Sequence, residues 1–153
     1  MKTKKAKDIM TTEVIVAKKD DNISSVANLL LKEKIGGLPV VDEEYKVVGI
    51  ISETDIIKKE KHIDPPQYVN LLQGLIFLDD LKRLEADVKK VAAYKVADLM
   101  STDIVKVNEN DSFDDIANIM IKKSINRVPV VDENNTLKGI ICRYDIIKAM
   151  YNE

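Results

Sequence analysis

Gly49-Ile50-Ile51-Ser52-Glu53-Thr54-Asp55-Ile56-Ile57-Lys58 recurs ninety residues later as Gly139-Ile140-Ile141-Cys142-Arg143-Tyr144-Asp145-Ile146-Ile147-Lys148. Upstream of it, Leu38-Pro39-Val40-Val41-Asp42-Glu43 has its counterpart in Val128-Pro129-Val130-Val131-Asp132-Glu133 at the same offset. Without a gap, that offset aligns residues 8–58 with residues 98–148, and 20 of the 51 pairs are identical. A repeat of this extent constrains the fold more than any local propensity, because both copies must satisfy the same packing.

Each copy carries the same succession of element signals. Val14 to Ala17 and Ile104 to Val107 are short β-branched runs that predict strands. A helix follows. In the second copy it opens with Ser112 and Asp115 at capping-box spacing and sets Phe113, Ile116, Ala117 and Met120 on one face. In the first copy Asn22 is the expected cap, with Ile23, Val26, Ala27 and Leu30 behind it. Leu38 to Val41 and Val47 to Ile51 then read as a hairpin around the polar Asp42-Glu43-Glu44 turn, and a last helix begins near Thr54. The class is therefore α/β (α+β), as two pseudo-symmetric β-α-β-β-α repeats. One copy of about 50 residues can hardly bury the open face of a three-stranded sheet, so the repeats are predicted to pack sheet to sheet. The domain reading is 1–58 for the first repeat, 59–97 for an insert and 98–153 for the second. Within the insert, Leu81, Leu84, Val88 and Val91 predict a helix near 80–93 capped by Asp79, preceded by the nearly all-apolar run Val69 to Leu78.

Composition excludes several classes. The chain has 153 residues, 45% hydrophobic and 33% charged, an ordinary globular mixture. Its 24 Lys and Arg against 26 Asp and Glu give a net charge of −2, without the basic excess of a duplex nucleic-acid binder. The longest stretch without charge, Pro65 to Leu78, is shorter than the roughly 20 residues of a membrane span. Lys2, Lys4, Lys5 and Lys7 open the chain, but Asp8 and Glu13 stand where the apolar core of a secretion signal would follow, so a cytoplasmic location is expected. One cysteine, Cys142, excludes a disulfide framework, and with one histidine, His62, no zinc site is expected. No His, Cys–His or carboxylate pair within the repeats forms a catalytic set, so the chain reads as non-enzymatic.

The Ile9-Met10-Thr11 and Leu99-Met100-Ser101 openings, the Leu38-Pro39-Val40-Val41-Asp42 and Val128-Pro129-Val130-Val131-Asp132 runs, and the doubled Gly-Ile-Ile-x-x-x-Asp run resemble the CBS (cystathionine-beta-synthase) domain. The whole chain resembles a free-standing pair of such domains. The resemblance implies clefts between the repeats that hold an adenosine nucleotide such as AMP, ADP or ATP as a regulatory ligand, no prosthetic group, and a homodimer that signals to a protein target. The rival from another class is a dimerisation or docking scaffold whose clefts stay empty.

Gly49 to Asp55 leads from a strand into a helix start, where unpaired N–H groups and the positive end of the dipole favour phosphate. Ser52 and Thr54 offer hydroxyl donors, and the Asp55 carboxylate suits the two hydroxyls of a ribose. Equally, Ser52-x-x-Asp55 is a capping box. In the second copy Asp145 remains, Cys142 replaces the hydroxyl, and Arg127 and Arg143 add charged forks. By resemblance the nucleotide sites also take in Thr12, Gly37, Leu38 and Pro39 from the first copy, and Thr102, Asn126, Val128 and Pro129 from the second. Gly37 stands where the second copy has Arg127, so the two clefts are expected to be unequal, with charged donors concentrated at Asp145.

Overall fold

The computed structural model describes residues 3–60 and 94–151. The helix read near 80–93, the apolar run 69–78 and His62 lie outside the described residues. Among the described residues eleven elements follow in chain order: α1 (Ala6–Ile9), α2 (Ile23–Glu33), β1 (Gly37–Val41), β2 (Val47–Ser52), α3 (Glu53–Glu60), α4 (Val96–Leu99), β3 (Val107–Asn108), α5 (Phe113–Lys122), β4 (Arg127–Val131), β5 (Leu137–Cys142) and α6 (Arg143–Tyr151). β1 and β2 form one sheet; β3, β4 and β5 form another, with β3 parallel and β5 antiparallel to β4. No helix among the described residues is long and apolar enough to cross a membrane.

The β-α-β-β-α order is complete in the second copy. In the first, Val14 to Ala17 forms no strand but an extended segment with a single bridge at Ala17, and Ile104 to Val107 shrinks to β3. These β-branched side chains serve packing instead: Val14, Val16 and Ile104 pack on the cluster of Val41, Val47, Val131 and Leu137. Ser112 caps α5 as expected, its hydroxyl accepting from the Asp115 N–H at 3.2 Å. Asn22 holds the N-cap position of α2 without capping it, because its side-chain oxygen accepts from Lys95 Nζ at 2.9 Å.

The compact units are not the two repeats. One comprises Met1–Val16, Pro39–Gly49 and Thr102–Glu153; the other comprises Ala17–Leu38 and Ile50–Ser101. Each unit is closed by the opening segment of the other repeat. In the first unit, Ala6 N–H donates to the Asp111 carbonyl at 2.9 Å, Lys7 to Glu109 at 3.0 Å, and Phe113 to Lys4 at 2.8 Å. The second unit repeats these bonds ninety residues displaced: Val96 to Asp21 at 2.9 Å, Ala97 to Lys19 at 3.0 Å, and Ile23 to Tyr94 at 3.0 Å. Ala6 and Val96, the buried anchors, are fully excluded from solvent. In the first unit Ala6 joins Val107, Ile116, Met120, Val128, Val130 and Ile141, with Ile9 and Met10 packed alongside.

The first unit also contains both hairpin turns. Lys46 and Thr136 form a bridge, Val47 N–H donates to the Asn135 carbonyl at 3.2 Å and Leu137 N–H to Tyr45 at 3.0 Å. These partners exchange under the ninety-residue offset, so a local two-fold passes through Lys46 and Thr136. Tyr45 (φ 63°) and Asn135 (φ 65°) occupy the left-handed region that each turn requires. The Asp132 carboxylate organises the second turn by accepting from the N–H groups of Thr136 (3.0 Å) and Asn134 (2.9 Å). The Thr136 N–H is the chief cause that holds its pKa below the ordinary carboxylate value, partly opposed by desolvation and aided by Lys138. A depressed pKa stabilises the fold above the unfolded value near pH 4, and the contribution disappears as pH falls through the folded value. Asp132→Asn is therefore expected to flatten the acid limb of thermal stability below about pH 4, read by circular dichroism melts. An unchanged acid limb would show that this turn does not contribute.

Candidate functional site

Two sets of candidate residues form, one in each unit, around the starts of α6 and α3. In the first unit β4 and β5 place Arg127 opposite Cys142, and the chain turns directly from Cys142 into α6. Cys142 N–H donates to Asp145 Oδ2 at 2.8 Å, which fixes the carboxylate at the head of the helix. Among the described residues no hydrogen bond reaches Asp145 Oδ1. Burial pushes the Cys142 thiol pKa up, Asp145 adds to this and Arg127 opposes it. The thiol is thus a neutral, half-buried group rather than a nucleophile.

Asp145 faces a cleft of about 380 Å³, within the size range of small-ligand sites. α6 supplies one wall with Asp145, Lys148 and Ala149; the opening segment of the first repeat supplies the other, including Asp8, Met10 and Thr11. Thr11 is held there by paired backbone bonds with Ile140, at 2.9 and 3.0 Å. Thr12 is exposed and lies outside this lining. Gly139 permits the close approach: a Cβ there would stand 2.5 Å from Met10 Sδ and 2.9 Å from the Thr11 carbonyl oxygen. Val128 and Pro129 are buried beneath Arg127, Asn126 is exposed, and Arg143 Nε is occupied by the Ile125 carbonyl at 3.3 Å.

The second unit assembles Gly37, Leu38, Ser52, Thr54 and Asp55. The capping box forms here. Asp55 Oδ2 accepts from Ser52 N–H at 2.9 Å and Ser52 Oγ at 3.0 Å, while Ser52 Oγ in turn accepts from Asp55 N–H at 3.4 Å. Ser101, paired by its backbone with Ile50, donates its hydroxyl to Asp55 Oδ1 at 3.4 Å. Both carboxylate oxygens are therefore engaged. Gly37, Leu38 and Pro39 are buried in β1, Thr54 is exposed, and Pro39 and Thr102 belong to the first unit.

Thr11 and Ser101, which the sequence marks as parts of the repeat openings but not as site candidates, are counterparts at the ninety-residue offset. Both follow the matched methionines Met10 and Met100, so the pair of hydroxyls was visible. Their destination on the opposite repeat was not. Among the described residues no group of three His, Cys, Asp or Glu is placed to hold a metal ion.

Two repeats, each ending in a strand, a helix start and an aspartate, define a tandem-repeat fold. The chain belongs to the CBS domain family, whose family model matches residues 6–62 and 96–152. It is 33% identical over 151 residues to the MJ1426 protein of Methanocaldococcus jannaschii, covering 94% of this chain and 89% of that one. It spans less of two other relatives from that organism, 45% and 23% of their lengths. Among solved structures it is similar to the CBS domain pair of protein MJ0100 in complex with 5′-methylthioadenosine and S-adenosyl-L-methionine. That likeness has 26% identity and a TM-score of 0.69, covering 97% of this chain and 96% of that one. The fold is also that of CBSX2 in complex with AMP, at 24% identity and a TM-score of 0.73, with 95% of each chain covered.

Proposed function

We propose that the chain is a non-enzymatic regulatory module that binds an adenosine-class ligand in the Asp145 cleft and thereby biases a protein target. The observation that carries this reading is the Asp145 carboxylate, fixed through Oδ2 by a backbone N–H at 2.8 Å in the lining of a cleft of ligand size. A carboxylate of this kind suits a ribose diol, and Lys148 in the same lining supplies a cation for a phosphate. The likeness to a domain pair that holds two adenosine compounds supports the same class. The Asp55 set is a second, weaker site that opens only when Ser101 releases Oδ1. Tyr144, Ile147 and Tyr151, at i, i+3 and i+7 on α6, are 72%, 56% and 79% exposed, and a homodimer in the cytoplasm would cover that face.

Titration calorimetry of the full chain tests the reading. AMP, ADP or ATP is expected to bind at micromolar to millimolar concentration, with GMP about tenfold weaker or more, a difference of roughly 1.4 kcal/mol. Heat-silent titrations with every adenosine compound would overturn it in favour of the empty docking scaffold.

A further inference from the structure

We infer that the ligand cleft is completed by the chain's own opening segment, so that occupancy locks residues 4–11 onto α6 and the docking of this segment is what the ligand controls. The inference rests on the adenosine reading of the same cleft. One wall, with Asp8, Met10 and Thr11, comes from the start of the chain; the other, with Asp145 and Lys148, comes from its end. A ligand held by both walls must bind the docked state and cannot bind the undocked one.

The segment has the features of a part that opens on its own. α1 has four residues, far too few to persist as a helix without a surface to rest on. Among the described residues its apolar hold is one fully buried residue, Ala6, and two half-buried ones, Ile9 and Met10; hydrogen bonds, including Lys7 Nζ to Asn110 Oδ1 at 3.3 Å and a bridge between Lys5 and Ser112, supply the rest. Those bonds run from Ala6 and Lys7 to the loop before α5, from Phe113 to Lys4, and between Thr11 and Ile140. Lys4 Nζ donates to the Ala149 carbonyl at 2.8 Å, a direct link between the two walls. Lys4, Lys5, Lys7 and Asp8 are exposed. Elements with so little burial sit at the low end of local stability, where small added free energies change populations most.

The linkage is quantitative. A ligand that binds only the docked state slows every exchange event requiring undocking by the factor 1 + [L]/Kd. By reciprocity, whatever loosens the segment weakens the ligand by up to the same factor.

Amide hydrogen exchange on the full chain, with AMP as the probe and its Kd taken from calorimetry, tests the inference. The Ala6, Lys7 and Thr11 amides are expected to slow in proportion to AMP, by about 100-fold at a hundred times Kd. Asp145→Asn, nearly isosteric, is expected to abolish the AMP dependence of these amides. Calorimetric binding of AMP with no change at these amides would overturn the inference and leave the adenosine reading standing. Silence in both calorimetry and exchange would overturn both.

Discussion

Gly139→Ala is expected to destabilise the fold by about 1–3 kcal/mol, the ordinary cost of forcing a methyl into a filled space. The new Cβ would lie 2.5 Å from Met10 Sδ, 2.7 Å from Met10 Cγ and 2.9 Å from the Thr11 carbonyl oxygen. The methionine can rotate away, since its side chain is unbranched and adaptable. The Thr11 carbonyl cannot retreat without stretching the paired bonds to Ile140 at 2.9 and 3.0 Å. The opening segment must therefore lift from β5, and the cleft loses the wall that Thr11 provides. A lowered melting temperature, by roughly 2–12 °C on the scale of a domain this size, is expected together with weaker AMP binding. A variant that melts with wild type and binds as well would show that the approach of Thr11 to Gly139 is not tight in solution.

Asp145→Ala is expected to weaken AMP about 100-fold, whereas Asp55→Ala changes the tight affinity by no more than about twofold. The first figure follows from losing hydrogen bonds between ribose hydroxyls and a charged acceptor, each worth about 1.5–3 kcal/mol, where every 1.4 kcal/mol is tenfold in affinity. The second follows from Asp55 already being engaged, by Ser52 at 2.9 and 3.0 Å and by Ser101 at 3.4 Å. Asp55→Ala should instead lower stability by about 1 kcal/mol, as the loss of a helix cap does. Equilibrium dialysis and thermal melts of both variants separate the two effects. Equal losses of affinity would mean that Ser101 does not restrain Asp55.

Much of this was legible in the repeat. The β-α-β-β-α order of the second copy, its hairpin turn at Asp132 and the Ser112 cap follow from local patterns, because each is decided by residues within a few positions of one another; the opening strand expected at Val14 to Ala17 does not form. The head of α6 was legible for the same reason, Cys142 and Asp145 being three residues apart. The exchange of opening segments was not. Ala6 and Val96 are small apolar residues that fit either repeat equally well, and an offset of ninety residues relates them without saying which copy receives which. Thr11 lines the cleft and Ser101 reaches Asp55, next to Thr12 and Thr102 in each copy. Side-chain competition was the other hidden factor: Lys95 draws Asn22 away from its cap, and the Ile125 carbonyl engages Arg143 Nε. Neither partner can be foreseen from spacing alone.

Native mass spectrometry of the intact chain titrated with AMP tests the central claim most directly, because it counts ligands per chain. The Asp145 cleft should fill first, giving one AMP per chain over a wide concentration range before a second adduct appears, and Asp145→Ala should abolish that first adduct. No adduct at millimolar AMP, or two that appear together and survive Asp145→Ala, would contradict it.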